Sequence, residues 1–220
     1  MALVNCKNCQ KPTEVELRQS INVGQDPDLK AKVLDGSLFV WECPYCGQRN
    51  LALYQTLYHD PEAKLMVWLL PGNEQPPQAV AEAVKQLEGY TLRIVREAGD
   101  LIEKVKLADA GLEDTVMEMC KWVTRRELAE KNPEAADAKL RFLRTEGADN
   151  ELVMALPLNG QMQVLNIGFN VYEDARGILL RNPSVKPAEG FAQVDAAWVD
   201  QFFRSGAKAA FPELFPVLRL

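Results

Sequence analysis

Two short stretches, Cys6-Lys7-Asn8-Cys9 and Cys43-Pro44-Tyr45-Cys46-Gly47, decide the fold at the start of this chain. Two residues separate the cysteines of each pair, a spacing that lets both sulfurs of a tight turn point at one centre. Pro44 and Gly47 suit such a turn. Two turns brought together supply four thiolates in the tetrahedral geometry of structural zinc. The spacing therefore predicts one structural zinc ion, with these ligands: Cys6, Cys9, Cys43 and Cys46.

Other interpretations of the four cysteines remain open from the sequence. They could be unconnected thiols or two redox-active pairs. Iron is a further alternative, because the second pair is the same as a knuckle of rubredoxins, which are electron carriers. The first pair departs from that pattern, since Gln10 stands where rubredoxins usually have glycine. Zinc is favoured, and a zinc ion with four cysteine ligands organises folding but has no open position for chemistry.

The charge balance argues against nucleic acid as a partner. The 220 residues include 31 acidic and 25 basic side chains, which gives a formal charge of -6. Binding to nucleic acid usually needs the opposite sign, because the affinity comes mostly from neutralising phosphates. The apolar share of 47% is ordinary for a protein with its own hydrophobic core. We therefore expect a globular protein that does not bind nucleic acid.

The chain shows no sign of a membrane or a secreted protein. The first residues, Met1–Cys6, lack the basic flank and the apolar stretch of a signal peptide. The longest apolar run, Leu65–Leu70, is far shorter than a membrane span. The odd number of cysteines and their metal-like spacing fit a reducing compartment better than a disulfide scaffold. These observations predict a cytoplasmic protein that is not bound to a membrane.

The segment between the two cysteine pairs is long enough, at 33 residues, to have structure of its own. Asp26-Pro27 is typical of a helix start, and Gly36 of its end, so a short helix is expected up to Leu34. Alternation of apolar residues predicts strands on either side of it and after the second pair. These predicted strands are Thr13–Val23, Ser37–Glu42, Leu51–Tyr58 and Lys64–Leu70.

A proline-rich segment, Pro71–Pro77, divides the chain into predicted regions 1–72 and 73–220. The second region begins with helices over about 77–138, interrupted by a strand at Tyr90–Arg96. Within it, apolar spacing favours a helix at Ala79–Leu87, and a long helix at Asp100–Lys131 is broken at Gly111, with a brief further turn at Asn132-Pro133.

The last part of the second region changes to a period of two residues. Antiparallel strands are expected over about 139–181, with a two-residue hairpin turn at Asn159-Gly160. A final helix over about 195–205 is capped by Asp195 and ends at Gly206. Since helices and antiparallel strands are segregated along the chain, the predicted class is α+β, with a zinc-ribbon-like unit first.

The chain resembles the CpXC-domain family, named for a cysteine-proline-any-cysteine motif and uncharacterised in function. Cys43-Pro44-Tyr45-Cys46-Gly47 matches the motif of that name, and Cys6–Cys9 supplies the first pair. The resemblance implies a zinc-ribbon-like N-terminal unit and brings no activity with it. It continues through Ile21-Asn22-Val23, Asp26-Pro27, Leu57-Tyr58-His59-Asp60, Leu92-Arg93-Ile94-Val95 and Leu101-Ile102-Glu103-Lys104.

Two further residues could carry chemistry. His59, followed by Asp60, suggests a general base, but neighbouring strand residues point to opposite faces, and Asp60-Pro61 is explained by a turn. A structural or surface role for His59 is therefore preferred. Cys120 lies at helical spacing with Val116 and is expected to pack as a small hydrophobic residue, because a nucleophilic thiol needs a base nearby.

Charged residues on the long helix alternate in sign, which is typical of a solvated face with side-chain ion pairs. They do not form a continuous basic track for phosphates. The basic members are Lys121, Arg125, Arg126 and Lys131, and the acidic ones are Glu118, Glu127, Glu130 and Glu134.

The C-terminal tail, Ala209–Leu220, is rich in large apolar residues, and Pro212 and Pro216 prevent a regular helix. An exposed tail of this composition would be unfavourable in water. We expect it to dock on its own domain, which makes a monomer the favoured state. A homodimer that forms through the tail is the alternative.

Three hypotheses for function follow from the sequence. The first is a non-enzymatic, zinc-stapled binding or adaptor protein with an unidentified protein partner, in which the ribbon is a platform and the second region presents the partner surface. The second is a hydrolase or transferase with a cleft near His59. The third, and least favoured, is a rubredoxin-like iron electron carrier.

Overall fold

The structure is a computed structural model that describes residues 1–77, 80, 87–181, 185 and 188–204. The described residues form two compact units, one made of residues up to 105 together with Gly190–Ala192, and the other of the remainder. The predicted mixed α+β class is confirmed. The division into 1–72 and 73–220, which was based on the proline-rich segment, stays a prediction.

The first unit begins with two short hairpins that frame the cysteines. Strand β1 (Ala2–Asn5) pairs antiparallel with β2 (Pro12–Val15), and β4 (Val40–Glu42) pairs antiparallel with β5 (Arg49–Leu51). We call β1–β2 the first hairpin and β4–β5 the second hairpin. Each hairpin carries one cysteine pair in its turn.

The segment between the hairpins has the predicted short helix. Helix α1 spans Asp28–Leu34, and Gly36 follows it with a φ of 76°, in the left-handed region that favours glycine. The single strand predicted over Thr13–Val23 is instead two separate strands, β2 and then β3 (Ser20–Asn22). The segment Ser37–Glu42 starts as a 3-10 turn, Ser37–Phe39, before it becomes β4.

The first unit also contains a four-stranded mixed sheet, to which β3 belongs. Its other strands are β6 (Thr56–Asp60), β7 (Leu65–Leu69) and β8 (Thr91–Val95), in the order β3-β6-β7-β8. Strand β6 runs parallel to β3 and antiparallel to β7, while β7 and β8 are parallel. All five residues of β7 are buried, as expected for a central strand without a solvent face.

Two α-helices, a 3-10 turn and a three-stranded meander follow. Helix α2 spans Ala98–Asp109 and α3 spans Asp114–Lys131, so the predicted break at Gly111 is confirmed, and Pro133–Asp137 forms a 3-10 turn. Strands β9 (Arg141–Glu146), β10 (Glu151–Leu158) and β11 (Gln161–Ile167) form an antiparallel sheet in the order β11-β10-β9. Asn159 and Gly160 both have positive φ, at 53° and 71°, as a two-residue hairpin turn requires.

The strands predicted at the end of the meander are wrong beyond Ile167. Strands were expected up to residue 181, but Phe169–Arg181 is a helix, α4. Valine, tyrosine and isoleucine favour strands, yet the buried residues of this segment recur at helical spacing, and that spacing decides the conformation. These buried residues are Val171, Tyr172, Ala175 and Ile178.

The last described helix, α5, spans Ala196–Arg204. The Asp195 carboxylate accepts a hydrogen bond from the Trp198 N–H at 3.0 Å, so the predicted cap is confirmed. Three predicted features lie wholly or mostly outside the described residues: the helix at Ala79–Leu87, the end of the final helix beyond Arg204, and the tail Ala209–Leu220. In the part of the chain that the structure describes, no helix has both the length and the apolar character needed to cross a membrane.

Candidate metal centre

The two cysteine pairs occupy equivalent turns at the tips of the two hairpins. In the first hairpin, Cys6 donates its N–H to the Lys11 carbonyl at 3.1 Å, and its own carbonyl accepts from the Gln10 N–H at 2.9 Å. The second hairpin repeats both bonds, from Cys43 to Gln48 and from Gly47 to Cys43, each at 2.9 Å. Each turn therefore presents its two sulfurs in the same way.

The residue after the second cysteine of each pair has a left-handed backbone. Gln10 has a φ of 59° and Gly47 a φ of 69°. Glycine adopts this conformation at no steric cost, whereas glutamine does not. The Gln10 side chain donates to the Lys7 carbonyl at 3.1 Å, within its own turn. The absence of glycine at position 10 therefore does not change the shape of the first turn.

The four sulfurs come together at one point. Cys6 Sγ lies 3.7 Å from Cys46 Sγ, and Cys9 Sγ lies 3.6 Å from Cys43 Sγ. All four ligand atoms lie within 4.8 Å of one another. A tetrahedral site with metal–sulfur bonds of about 2.3 Å has sulfur–sulfur edges of about 3.8 Å. The four cysteines could therefore hold one metal ion without large movements.

A small apolar cluster packs beside the sulfurs. It lies in the region of the two hairpins, residues 2–15 and 40–51, which we call the ribbon. Cys6 and Cys43 are buried, Cys9 is partly buried and Cys46 is exposed. Trp41 of β4 is buried with Cys6 and Cys43 in one cluster. Partly buried apolar side chains from both hairpins pack against this cluster: Val4, Val15 and Ala52. Since so small a core provides little apolar burial, a metal would contribute much of the stability of this region.

Asn50 of β5 connects the second hairpin to the first. Its side chain is buried, and its Nδ2 lies 3.6 Å from Cys6 Sγ and 2.8 Å from the Gln48 carbonyl. Its Oδ1 accepts the Lys7 N–H at 3.0 Å. The Asn50 side chain therefore forms hydrogen bonds to groups in both cysteine turns. Reasoning from the sequence missed this residue, because cysteine spacing gives no information on the polar neighbours of the sulfurs.

Hydrogen bonds to sulfur favour the thiolate at Cys6. The N–H groups of Cys9 and Asn8, and the Asn50 amide, lower the pKa of Cys6 from 9.0 to about 6, although burial acts in the opposite direction. Donors that point at a sulfur stabilise its charged form. The first turn is therefore arranged to hold Cys6 as a thiolate, which is the form that binds metals.

The pKa shifts of Cys46 and Cys9 show how closely the four sulfurs are crowded. The Gln48 N–H lowers the pKa of Cys46. The Lys11 N–H, at the equivalent place in the first turn, acts likewise on Cys9, but burial and the neighbouring sulfurs outweigh it and raise the pKa of Cys9 to about 11. Four neighbouring thiols cannot all ionise without a positive charge among them, and a divalent metal would supply that charge.

His59 faces away from its neighbour Asp60. The His59 Nε2 lies 3.2 Å from the Tyr90 hydroxyl, whereas Asp60 accepts from Lys30 Nζ and from the Ala63 N–H, each at 3.0 Å. Asp60 therefore belongs to a turn and an ion pair, and does not orient the imidazole. Among the described residues, His59 has no carboxylate partner of the kind that activates a general base.

Cys120 is far from being a reactive thiol. It is fully buried in the core of the second unit, its Sγ lies 3.7 Å from the Val171 carbonyl, and burial raises its pKa to about 12. A protonated, inaccessible thiol is neither a nucleophile nor a ligand. The expectation that it packs as a small hydrophobic residue agrees with this environment.

The charged face expected on the long helix is only partly solvated. Glu118 and Lys121 form an ion pair in which both side chains are 7% exposed, so the prediction of a solvated face is wrong there. The first half of α3 is buried all round, which removes the polar face that an amphipathic helix would have. Further along, Arg126 is exposed and its guanidinium lies 4.5 Å from the centre of the Trp122 ring.

Comparison with known proteins supports the interpretation of the cysteines. Among curated proteins and among solved structures, nothing matches this chain. The family model described as "CpXC protein" matches residues 4–121, which is more than half of the chain and includes both cysteine pairs. The match and the clustered sulfurs together show that this chain belongs to the CpXC family.

Proposed function

We propose that this chain is a non-enzymatic binding or adaptor protein, in which one structural zinc ion at the four cysteines fixes the fold of the ribbon. The observation that carries the proposal is the set of four converging sulfurs. A metal with four protein ligands has no position for water or substrate, so it stabilises the fold and does not catalyse a reaction. Zinc is the metal that most often occupies such sites in proteins.

The surroundings of the other candidate residues favour binding over catalysis. The His59 imidazole is engaged by a tyrosine, and Cys120 is buried and protonated. Several large apolar side chains on the described surface are well exposed, and in this proposal they contribute to the surface that contacts the partner. In this proposal the partner is another protein and the chain acts in the cytoplasm.

Iron is the second candidate for the metal, and one observation favours it. The first turn reproduces the backbone of the second, so the absence of glycine at Gln10 does not distinguish this site from that of a rubredoxin. An iron centre with four cysteine ligands would transfer electrons and absorb visible light. Identification of the metal is therefore the first experiment.

The test is elemental analysis of the full chain, purified without added metal, alongside Cys43→Ser and the buried-thiol control Cys120→Ser. We expect about one zinc per wild-type chain, little iron, and loss of the metal only in Cys43→Ser. A coloured protein that contains iron would replace the adaptor proposal with electron transfer. A protein without metal, or a Cys43→Ser variant that retains it, would remove the proposed centre altogether.

The adaptor part of the proposal is tested separately. The metal-loaded full chain, immobilised, is exposed to an extract of the native organism, and a bound protein identified by mass spectrometry is then purified and titrated against wild type and Cys43→Ser. We expect saturable binding that is weakened when the ribbon has lost its metal. Turnover of a small molecule by the metal-loaded chain that depends on His59 would contradict the proposal.

A further inference from the structure

The sheet of the second unit has two edges of opposite character. The β9 edge carries three charged side chains within six residues, Arg141, Arg144 and Glu146. The β11 edge, Gln161–Ile167, carries none in seven. Natural proteins protect an edge strand from unwanted pairing with charges, prolines or bulges. The structure therefore shows one protected edge and one edge that lacks these features.

Strand β11 also has exposed apolar side chains along its length. Met162 and Val164 are 65% and 58% exposed, and they lie on one face because they are two positions apart on a strand. Among the described strands, β11 pairs with β10 alone. A seven-residue, uncharged edge with exposed apolar residues is a template for addition of another strand.

The tight turn before β11 determines which of its backbone groups face outward. Asn159-Gly160 makes a two-residue turn, so Leu158 and Gln161 form the first hydrogen-bonded pair of the hairpin. Such pairs alternate with pairs that are not hydrogen-bonded to each other. The N–H and C=O groups of Met162, Val164 and Asn166 therefore point away from β10, toward the edge of the sheet.

We propose that this edge binds β11 of a second copy of the chain. Antiparallel pairing about a two-fold axis at Val164 places Val164 opposite its symmetry mate and Met162 opposite Asn166 of the partner. All the outward backbone groups are then paired, which extends the sheet to six strands. The two exposed valines meet across the axis, with each Met162 diagonal to one of them.

A second copy fits this edge better than an unrelated strand, because the strand is its own complement. In two-fold pairing a charged residue at the axis would face its own mate, and charges elsewhere on β11 would be brought close to the same charges of the partner strand. The absence of charge from Gln161 to Ile167 removes that obstacle. The opposite edge, β9, would place Arg141 and Arg144 near their own mates or force a different register.

The experiment is sedimentation velocity of the metal-loaded full chain over a range of concentrations. We expect a concentration-dependent dimer, and Val164→Lys should raise its dissociation constant on the order of tenfold or more, because two ammonium groups would meet on the axis. The matched control is Leu180→Lys, which makes the same kind of change at a side chain that is 75% exposed on α4. It should leave the dimer intact.

Three checks keep the result decisive. Circular dichroism and metal content show whether each variant is folded, and Met162→Lys replaces Val164→Lys if the latter fails. Hydrogen exchange should slow at the Met162, Val164 and Asn166 amides as the concentration rises. A monomer at all concentrations, or a dimer that survives the β11 substitutions but is lost on truncation after Lys208, overturns the proposal. Because metal content is measured on the same samples, failure of the zinc proposal would be recognised separately.

Discussion

Asn50 Nδ2 on the second hairpin lies 3.6 Å from Cys6 Sγ on the first hairpin, and Asn50 as a whole residue is 5% exposed. The same side chain accepts the Lys7 N–H at 3.0 Å. Residues around a metal site that hold its ligands in place often matter almost as much as the ligands themselves. Asn50 therefore positions a sulfur of one turn, which is a candidate metal ligand, from the strand that follows the other turn.

Replacement of Asn50 by alanine should weaken metal binding by about 10- to 100-fold, since the Cys6 sulfur and the Lys7 N–H both lose a partner. Competition with a chelator measures the affinity. Gln48→Ala is the control, because within the described residues the Gln48 side chain bonds only to the neighbouring Arg49 carbonyl. Equal affinities for Asn50→Ala and the control would show that Asn50 does not position Cys6.

Gln10→Gly should stabilise the ribbon by at most about 1 kcal/mol, since relief of the left-handed strain at a φ of 59° outweighs the loss of the exposed side-chain bond to the Lys7 carbonyl. The reverse test is Gly47→Ala. The added Cβ would lie 3.9 Å from the Glu42 carboxylate, which is an ordinary contact, so any loss of stability comes from the left-handed backbone and not from a clash. This variant should be less stable by about 1 kcal/mol. Denaturant unfolding of the metal-loaded proteins gives both values, and a destabilised Gln10→Gly would contradict the expectation.

Cys120→Ser should keep its metal but lose roughly 1–3 kcal/mol of stability, because a hydroxyl replaces a buried thiol in an apolar core. Its pKa of about 12 also predicts that Cys120 in the folded protein resists alkylation at neutral pH. Mass spectrometry after brief treatment with iodoacetamide measures this resistance. Rapid labelling of Cys120 under native conditions would be inconsistent with its burial.

Asp60 should make the free energy of unfolding of the protein depend on pH in the acidic range. Although burial raises the pKa of this carboxyl, the Ala63 N–H, Lys30 and the Tyr58 hydroxyl together hold the pKa below its ordinary value of 3.8. A lowered carboxyl pKa contributes stability above the ordinary value, and this contribution is lost as the pH falls through the folded value. Wild type should therefore have a larger free energy of unfolding than Asp60→Asn at neutral pH, and this difference should shrink in acid. Urea unfolding of both proteins at about pH 7 and about pH 3 measures the difference. A difference that does not change with pH would contradict the lowered pKa of Asp60.

Features that depend on a few neighbouring residues could be predicted from the sequence. The cysteine spacing, the Asn159-Gly160 turn, the Asp195 cap and the break at Gly111 are all local, and the structure contains each of them. Each is determined by the conformations and hydrogen bonds of residues close together in the chain. The location of the candidate site was therefore evident before its geometry was known.

Features that depend on distant residues could not be predicted in this way. The parallel pairing of β3 with β6 joins segments far apart in the sequence, and no local pattern specifies it. The burial of Glu118 and Lys121 depends on what surrounds both sides of α3. Asn50 acquires its role only when the two hairpins meet, because its sulfur partner lies in the other hairpin.

The position of β3 and α1 between the two cysteine pairs has a consequence for folding. A metal at the four sulfurs joins the ends of a 33-residue loop, and closing such a loop costs about 3 kcal/mol of chain entropy. Once the ends are joined, β3 needs to search far fewer conformations to reach β6. Removal of the metal would release both ends together and leave the backbone of Thr56–Asp60 open on one side. We therefore expect chelation to cause self-association through this newly exposed strand, in addition to local unfolding.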